Sequence, residues 1–164
     1  MFRQMRRNRQ QLPQEEAIRI LANRTSGVLA LHGDDGYPYA VPLSYVYQDG
    51  KLYFHCAQSG HKLDAIRSDC RASFCIIDQD QVIPEKYATS YRSVIAFGQI
   101  RILSDDTQKR EALTLLSQKY AHNDGQQEID RLLSHTCLLE FTIEHLTGKE
   151  ALSLTTARTS QPST

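Results

Sequence analysis

The chain has 164 residues, enough for one domain with its own core, and its 40% apolar and 23% charged residues are an ordinary globular balance. Nineteen Lys and Arg offset nineteen Asp and Glu, so no overall charge draws it to nucleic acid or to a membrane surface. No stretch approaches the ~20 apolar residues that cross a bilayer, and the basic start (Arg3, Arg6, Arg7, Arg9) lacks the apolar run of a secretory signal.

That start reads as a solvated terminus or as an arm that touches an anion or a partner subunit. Leu12-Pro13 then opens a helix over 14–23, with acids in its first turn and Ala17, Ile18 and Leu21 on one side. "SGVLALH" is a strand, "GDDG" (Gly33 to Gly36) a tight turn, and "YPYAVPLSYVY" a second strand. "QDG" (Gln48 to Gly50) turns into a third strand ending near Cys56, followed by a helical turn over 61–68. "RASFCIID" is a fourth strand, "QDQVIPEKYATS" a loop, and "YRSVIAFGQIRIL" a long fifth strand bent at Gly98. A helix starts at Asp105-Asp106, with Leu113, Leu116 and Tyr120 on one face. A polar connection and a short helical piece lead to "TCLLEFTIEHL". In that last strand Cys137, Leu139, Phe141 and Ile143 are expected inward, and Glu140, Thr142 and Glu144 outward. One domain over 1–152 is therefore expected, with a disordered Ser- and Thr-rich tail over 153–164. The class is mainly β with peripheral α: a six-stranded antiparallel sheet closed into a small barrel. The four cysteines, Cys56, Cys70, Cys75 and Cys137, form no CxxC pair and read as reduced thiols of a cytoplasmic protein.

Two stretches carry chemistry. In the second strand Tyr39, Val41, Leu43, Tyr45 and Tyr47 form a bulky face. Ala40, Pro42, Ser44 and Val46 form a small one, where something flat can approach the backbone. Pro42 cannot donate to a ladder and suits an edge or a bulge. In "KLYFHCAQSGHKLDAI" a strand becomes a helix at Gly60-His61-Lys62. Free N–H groups at the helix start, the Lys62 charge and the His61 donor together suit a phosphate. A tight hairpin joins the two stretches, so they describe one ligand: a planar ring with a phosphate at one end. His55, opposite in direction to Phe54, reads equally as a structural histidine or as a proton donor or acceptor beside that ring. Arg92 in "YRSV" is suited to an acid or a phosphate, with Ser93 as polar lining. Metal-ligand spacing and a hydrolase nucleophile elbow are both missing from the sequence.

"TSGVLAL", "GDDGYPYAVPLSYVY", "YFHCAQSGHKLDAIR", "YRSVIAFGQIRIL" and "EHLTGKEA", in this order, resemble the pyridoxamine 5'-phosphate oxidase-like superfamily, and within it the branch of Nim-type nitroimidazole resistance proteins. The resemblance spans residues 1 to 151. It implies a split β-barrel holding FMN at a homodimer interface. The superfamily's Thr-Asn…Ser-Arg-Lys phosphate run corresponds here to Cys56, Ala57, Gly60, His61 and Lys62. Only the lysine is kept, and both hydroxyls are lost. The strand that lies along the flavin ring corresponds to Pro42, Leu43, Ser44 and Tyr45. The branch resembles this chain in placing a histidine at His55, close to the flavin, and the Arg92-Ser93 pair matches as well. The basic C-terminal substrate motif of true pyridoxamine phosphate oxidases has no counterpart after Gly148.

What the resemblance implies is an FMN-dependent reductase of a small electron-poor molecule such as a nitroaromatic, with His55 as the proton donor. The alternative is a flavin- or haem-binding module that stores or senses its ligand without turnover. A third possibility is a dimeric barrel whose pocket has decayed.

Overall fold

The protein, a computed structural model, is described over residues 1–120 and 126–160. Helix α1 (Gln14–Asn23) follows Pro13 in an extended conformation, carries Glu15 and Glu16 in its first turn, and buries Ala17, Ile20 and Leu21. The strands are β1 (Ser26–His32), β2 (Pro38–Ser44), β3 (Val46–Gln48), β4 (Lys51–Cys56), β5 (Arg71–Ile83), β6 (Ala88–Ile102) and β7 (Cys137–Glu150). Helix α2 (His61–Ser68) joins β4 to β5. Helices α3 (Asp106–Tyr120) and α4 (Gln126–His135) lie between β6 and β7, and α5 (Leu152–Thr159) ends the described chain. Among the described residues no helix is long and apolar enough to cross a membrane.

All seven strands form one antiparallel sheet in the order β2-β1-β5-β6-β7-β4-β3. Its two outermost strands, β2 and β3, are consecutive in the chain and separated only by Tyr45. The run from Pro38 to Gln48 therefore pairs with β1 along its first half and with β4 along its second, and this closes the split barrel. The expected second strand is this broken run, so seven strands stand where six were expected. The Asp49-Gly50 corner between β3 and β4 has positive φ at both residues (47° and 79°), the geometry of a two-residue hairpin turn.

The barrel core is aromatic. Tyr45 meets Phe74 edge-on with centroids 4.9 Å apart, and Phe54 meets Phe74 at 5.2 Å. Tyr45, Phe54, Phe74 and Phe141 are wholly buried, each contributing about 1.5–3 kcal/mol of transfer free energy. A second cluster, with Val46, Leu103, Leu113, Leu116, Ile129 and Leu138, lies beneath α3 and α4. At Gly98 the β6–β7 register shifts, as the expected bend requires. A Cβ there would stand 1.9 Å from the Thr142 carbonyl oxygen.

Three expectations are corrected. The loop assigned to residues 79–90 is mostly sheet: β5 continues to Ile83 and β6 begins at Ala88, around a Pro84–Lys86 turn. Most of this hairpin is exposed, so no inward–outward alternation marks it. The tail from Ser153 is helical as far as Thr159; residues 161–164 lie outside the described residues, as does the polar connection at 121–125. Glu140 is buried (6% exposed) rather than outward, and its carboxylate accepts from Lys51, Arg101 and the Tyr53 hydroxyl. Burial by itself would push this carboxyl up, but the hydrogen bonds from Arg101 and Lys51 outweigh it and hold the group below its ordinary value.

Candidate functional site

The second strand presents its small side outward. Ala40, Pro42 and Ser44 are exposed, while Tyr39, Val41 and Leu43 pack half-buried against the core. The alternation breaks at Tyr45, after which Val46 turns into the second cluster. Two of the expected ring-side residues are thereby limited. The Leu43 side chain faces the core, and Tyr45 is interior with its hydroxyl donating to the Leu21 carbonyl at 2.7 Å. Pro42 and Ser44 are the side chains on the open face. Pro42 stands opposite Val28, Val28 opposite Cys75, Cys75 opposite Ile95 and Ile95 opposite Thr147. Residues directly opposite project to the same side, so this row forms an outer sheet surface with Val28 38% exposed.

The strand-to-helix junction has the form that the sequence predicts. His55 is exposed, Cys56 half-buried and Ala57 exposed. Gly60, at φ 127°, precedes α2, and no side chain caps the helix. The first intrahelical bonds come from the Leu63 and Asp64 N–H groups to the Gly60 carbonyl, so those of His61 and Lys62 lie ahead of the ladder. A Cβ at Gly60 would meet nothing within 4 Å, so the turn is open. Among the described residues no carboxylate pairs with Lys62. His61 is engaged: its Nε2 lies 3.4 Å from Asp34 Oδ2 and its ring stacks on Tyr39 with centroids 4.2 Å apart. It ties α2 to the turn between β1 and β2. Burial pushes the Cys56 thiol up to about 11, against the pull of nearby Lys62.

His55 and Ser44 share one cleft, of about 230 Å³, roofed by Leu113, Leu116 and Tyr120 of α3 and by Ile129 of α4. The spacing of Leu113, Leu116 and Tyr120 marks one helix face, but only the fold sets that face over His55. Tyr120 has a second task there. Its hydroxyl accepts from the Tyr45 N–H at 3.0 Å and has the Thr25 and Tyr45 carbonyls within donating reach. It thus reinforces the backbone groups at the strand break, where the Tyr45 N–H also makes a longer bond of 3.3 Å to the Thr25 carbonyl. Tyr120→Phe is expected to lower stability by about 1–3 kcal/mol, measured by urea unfolding; a change within error would mean that the break is satisfied otherwise.

Arg92 and Ser93 do not join the cleft. Arg92 is committed to three carboxylates: Glu150 at 3.1 Å, Asp78 at 3.7 Å and Glu16 at 3.8 Å. Ser93 lies on β6 opposite Ile77 and Lys149. The arrangement that remains is a flat open strand face, a cleft with one imidazole, and an uncapped helix start with a free ammonium, all on the continuous segment from Ala40 to Lys62.

A barrel of this topology defines the class of small split-barrel proteins. The sequence model of the family described as pyridoxamine 5'-phosphate oxidase matches residues 13–150, and the chain belongs to that family. Among curated proteins none matches it. Solved structures with the same fold include a candidate 5-nitroimidazole antibiotic resistance protein from Bacteroides thetaiotaomicron, with a TM-score of 0.74 and 18% identity over 85% of this chain and 86% of that one. A FAD-binding protein from Mesorhizobium loti has a TM-score of 0.64 and 26% identity over 86% and 96% of the two chains. A FAD- and haem-binding protein from Mycobacterium smegmatis has a TM-score of 0.69 and 19% identity over 93% and 81%.

Proposed function

We propose that this chain is a cytoplasmic homodimeric flavoprotein that holds FMN and reduces a small electron-poor molecule such as a nitroaromatic. The observation that carries the reading is the convergence, within one segment, of the exposed Ala40-Pro42-Ser44 face, the His55 cleft and the open α2 start with an uncommitted Lys62. The similar structures described as FAD-binding, and the family itself, support a flavin. One free cation and one short turn suit a single phosphate group, which favours FMN over FAD.

The residues fit the group in specific ways. Lys62 and the first N–H groups of α2 hold the phosphate, the missing hydroxyls at Cys56 and Gly60 leaving more of the grip to the backbone. The small face of β2 lets a ring lie against the strand. The flavin, when bound, supplies the electron chemistry. His55 is placed to pass a proton at the cleft, which the apolar side chains of α3 and α4 line on the other side. The basic C-terminal substrate motif of pyridoxamine phosphate oxidases has no counterpart after Gly148, where Arg158 is bound to Glu150 at 2.9 Å, so pyridoxamine phosphate is not the substrate we propose. The outer sheet row from Pro42 to Thr147, with Ile77 66% exposed beside it, is the surface a second copy would cover. Four free cysteines suit a reducing compartment.

The absorbance spectrum of the purified protein tests the reading. A flavin spectrum saturating at one FMN per subunit is expected, and Lys62→Ala is expected to weaken FMN binding by about 1.5–3 kcal/mol, roughly 10- to 150-fold in Kd. A colourless protein that takes up no flavin on titration overturns it. A flavin-loaded protein that, once reduced without oxygen, is not reoxidised by a nitroimidazole would instead be a binding module.

A further inference from the structure

We propose that Cys56 and Cys137 form a dithiol site that closes into a cross-strand disulfide by exchange with a low-molecular-weight disulfide. The two cysteines are 81 positions apart in the chain and share no motif. The β4–β7 register runs from Lys51 opposite Thr142 to Cys56 opposite Cys137, which places the two directly across from each other. Opposed residues of an antiparallel ladder have Cα atoms about 4.5–5.5 Å apart, inside the roughly 4.4–6.8 Å range that a disulfide bridges. Cys137 is near enough to act on the Cys56 thiol, adding to the upward push on it.

The pair also has room to react. Cys56 is the last residue of β4 and Cys137 the first of β7, so the bond forms where the ladder ends and little pairing has to adjust. Both are half-buried rather than sealed. Cys70 and Cys75 differ: Cys70 is exposed and precedes β5, and Cys75 faces Val28 and Ile95 across the sheet.

In the first step a thiolate of the pair attacks the S–S bond of the small disulfide. One thiol of the reagent is released and a mixed disulfide remains on the protein. The neighbouring cysteine then attacks that bond, loses its proton and expels the second small thiol. In sum two protein S–H bonds become one S–S bond, and the reagent takes up both electrons and both protons. Burial, which pushes the Cys56 thiol up to about 11, keeps that resting thiol protonated, and the Lys62 charge opposes this. The bond would fasten the end of the strand that leads into the Gly60–Lys62 turn onto β7. None of this requires a bound flavin.

The test incubates the full chain with oxidised glutathione at mildly alkaline pH, alkylates the remaining thiols and maps the peptides by mass spectrometry. The expected product has lost about 2 Da through a Cys56–Cys137 crosslink that dithiothreitol reverses. Cys56→Ser and Cys137→Ser are each expected to keep a glutathione on the remaining partner instead. Wild-type protein in which both cysteines stay alkylatable, or carry separate glutathiones with no crosslink between them, overturns the proposal.

Discussion

Glu150→Ala is expected to destabilise the protein by about 3–5 kcal/mol, the cost of removing one partner from a buried ion pair. Glu150 is wholly buried, and each of its carboxylate oxygens is used. Oε2 accepts from Arg92 at 3.1 and 3.3 Å, and Oε1 accepts from Arg158 at 2.9 Å. Without the carboxylate Arg158 loses the partner of its ion pair and Arg92 its nearest one. Arg92 retains only its longer approaches to Asp78 and Glu16, and Asp78 is already paired with Arg24 at 2.6 Å. Arg158 belongs to α5, so the same change releases the clamp that fastens that helix to the barrel. Urea unfolding should show the loss, and limited proteolysis should cut first within α5. Glu150→Gln keeps the acceptor oxygen and the shape, and should cost less than the alanine. A loss below about 1 kcal/mol for Glu150→Ala would mean that water already satisfies these arginines.

His55→Ala is expected to leave flavin content unchanged and to lower turnover by about 10²–10⁴-fold, the usual contribution of a positioned acid or base. The imidazole stands on an exposed strand position and reaches into the cleft that it shares with Ser44. It supports no core packing, so its removal should not change the melting temperature. The separation matters: flavin absorbance and thermal stability report the scaffold, and turnover reports the proton. Equal turnover in the variant and the wild type would remove His55 from the chemistry and leave it as a surface residue.

The N-terminal arm illustrates how a neutral sequence feature acquires a place. Four arginines in the first nine residues describe only a basic segment. In the folded chain Phe2 stacks on His145 with centroids 4.6 Å apart and approaches Phe97 at 5.6 Å, so the arm lies on the outer surface of β6 and β7. Ring contacts distant in sequence, with the Gln10 and Leu12 bonds to β7, position it.

What the residues specify by themselves is local. Period-two alternation marks β1, β4 and β7. The bulky and small sides of β2 are visible as Tyr39-Val41-Leu43 against Ala40-Pro42-Ser44. Asp49-Gly50 announces its hairpin, and Gly60-His61-Lys62 announces a helix start suited to an anion. These features follow from backbone geometry and neighbouring side chains, which a short window of sequence contains. The tertiary structure decides everything that depends on which strand lies beside which. It breaks the second strand at Tyr45 so that one run can close both edges, and it lowers α3 and α4 over His55. It spends Arg92 on carboxylates from α1, β5 and β7, buries Glu140 among Lys51, Tyr53 and Arg101, and sets Cys56 against Cys137. Each of these is a meeting of residues tens of positions apart, fixed by sheet register and by the need to pair buried charge, and none is written in any single segment.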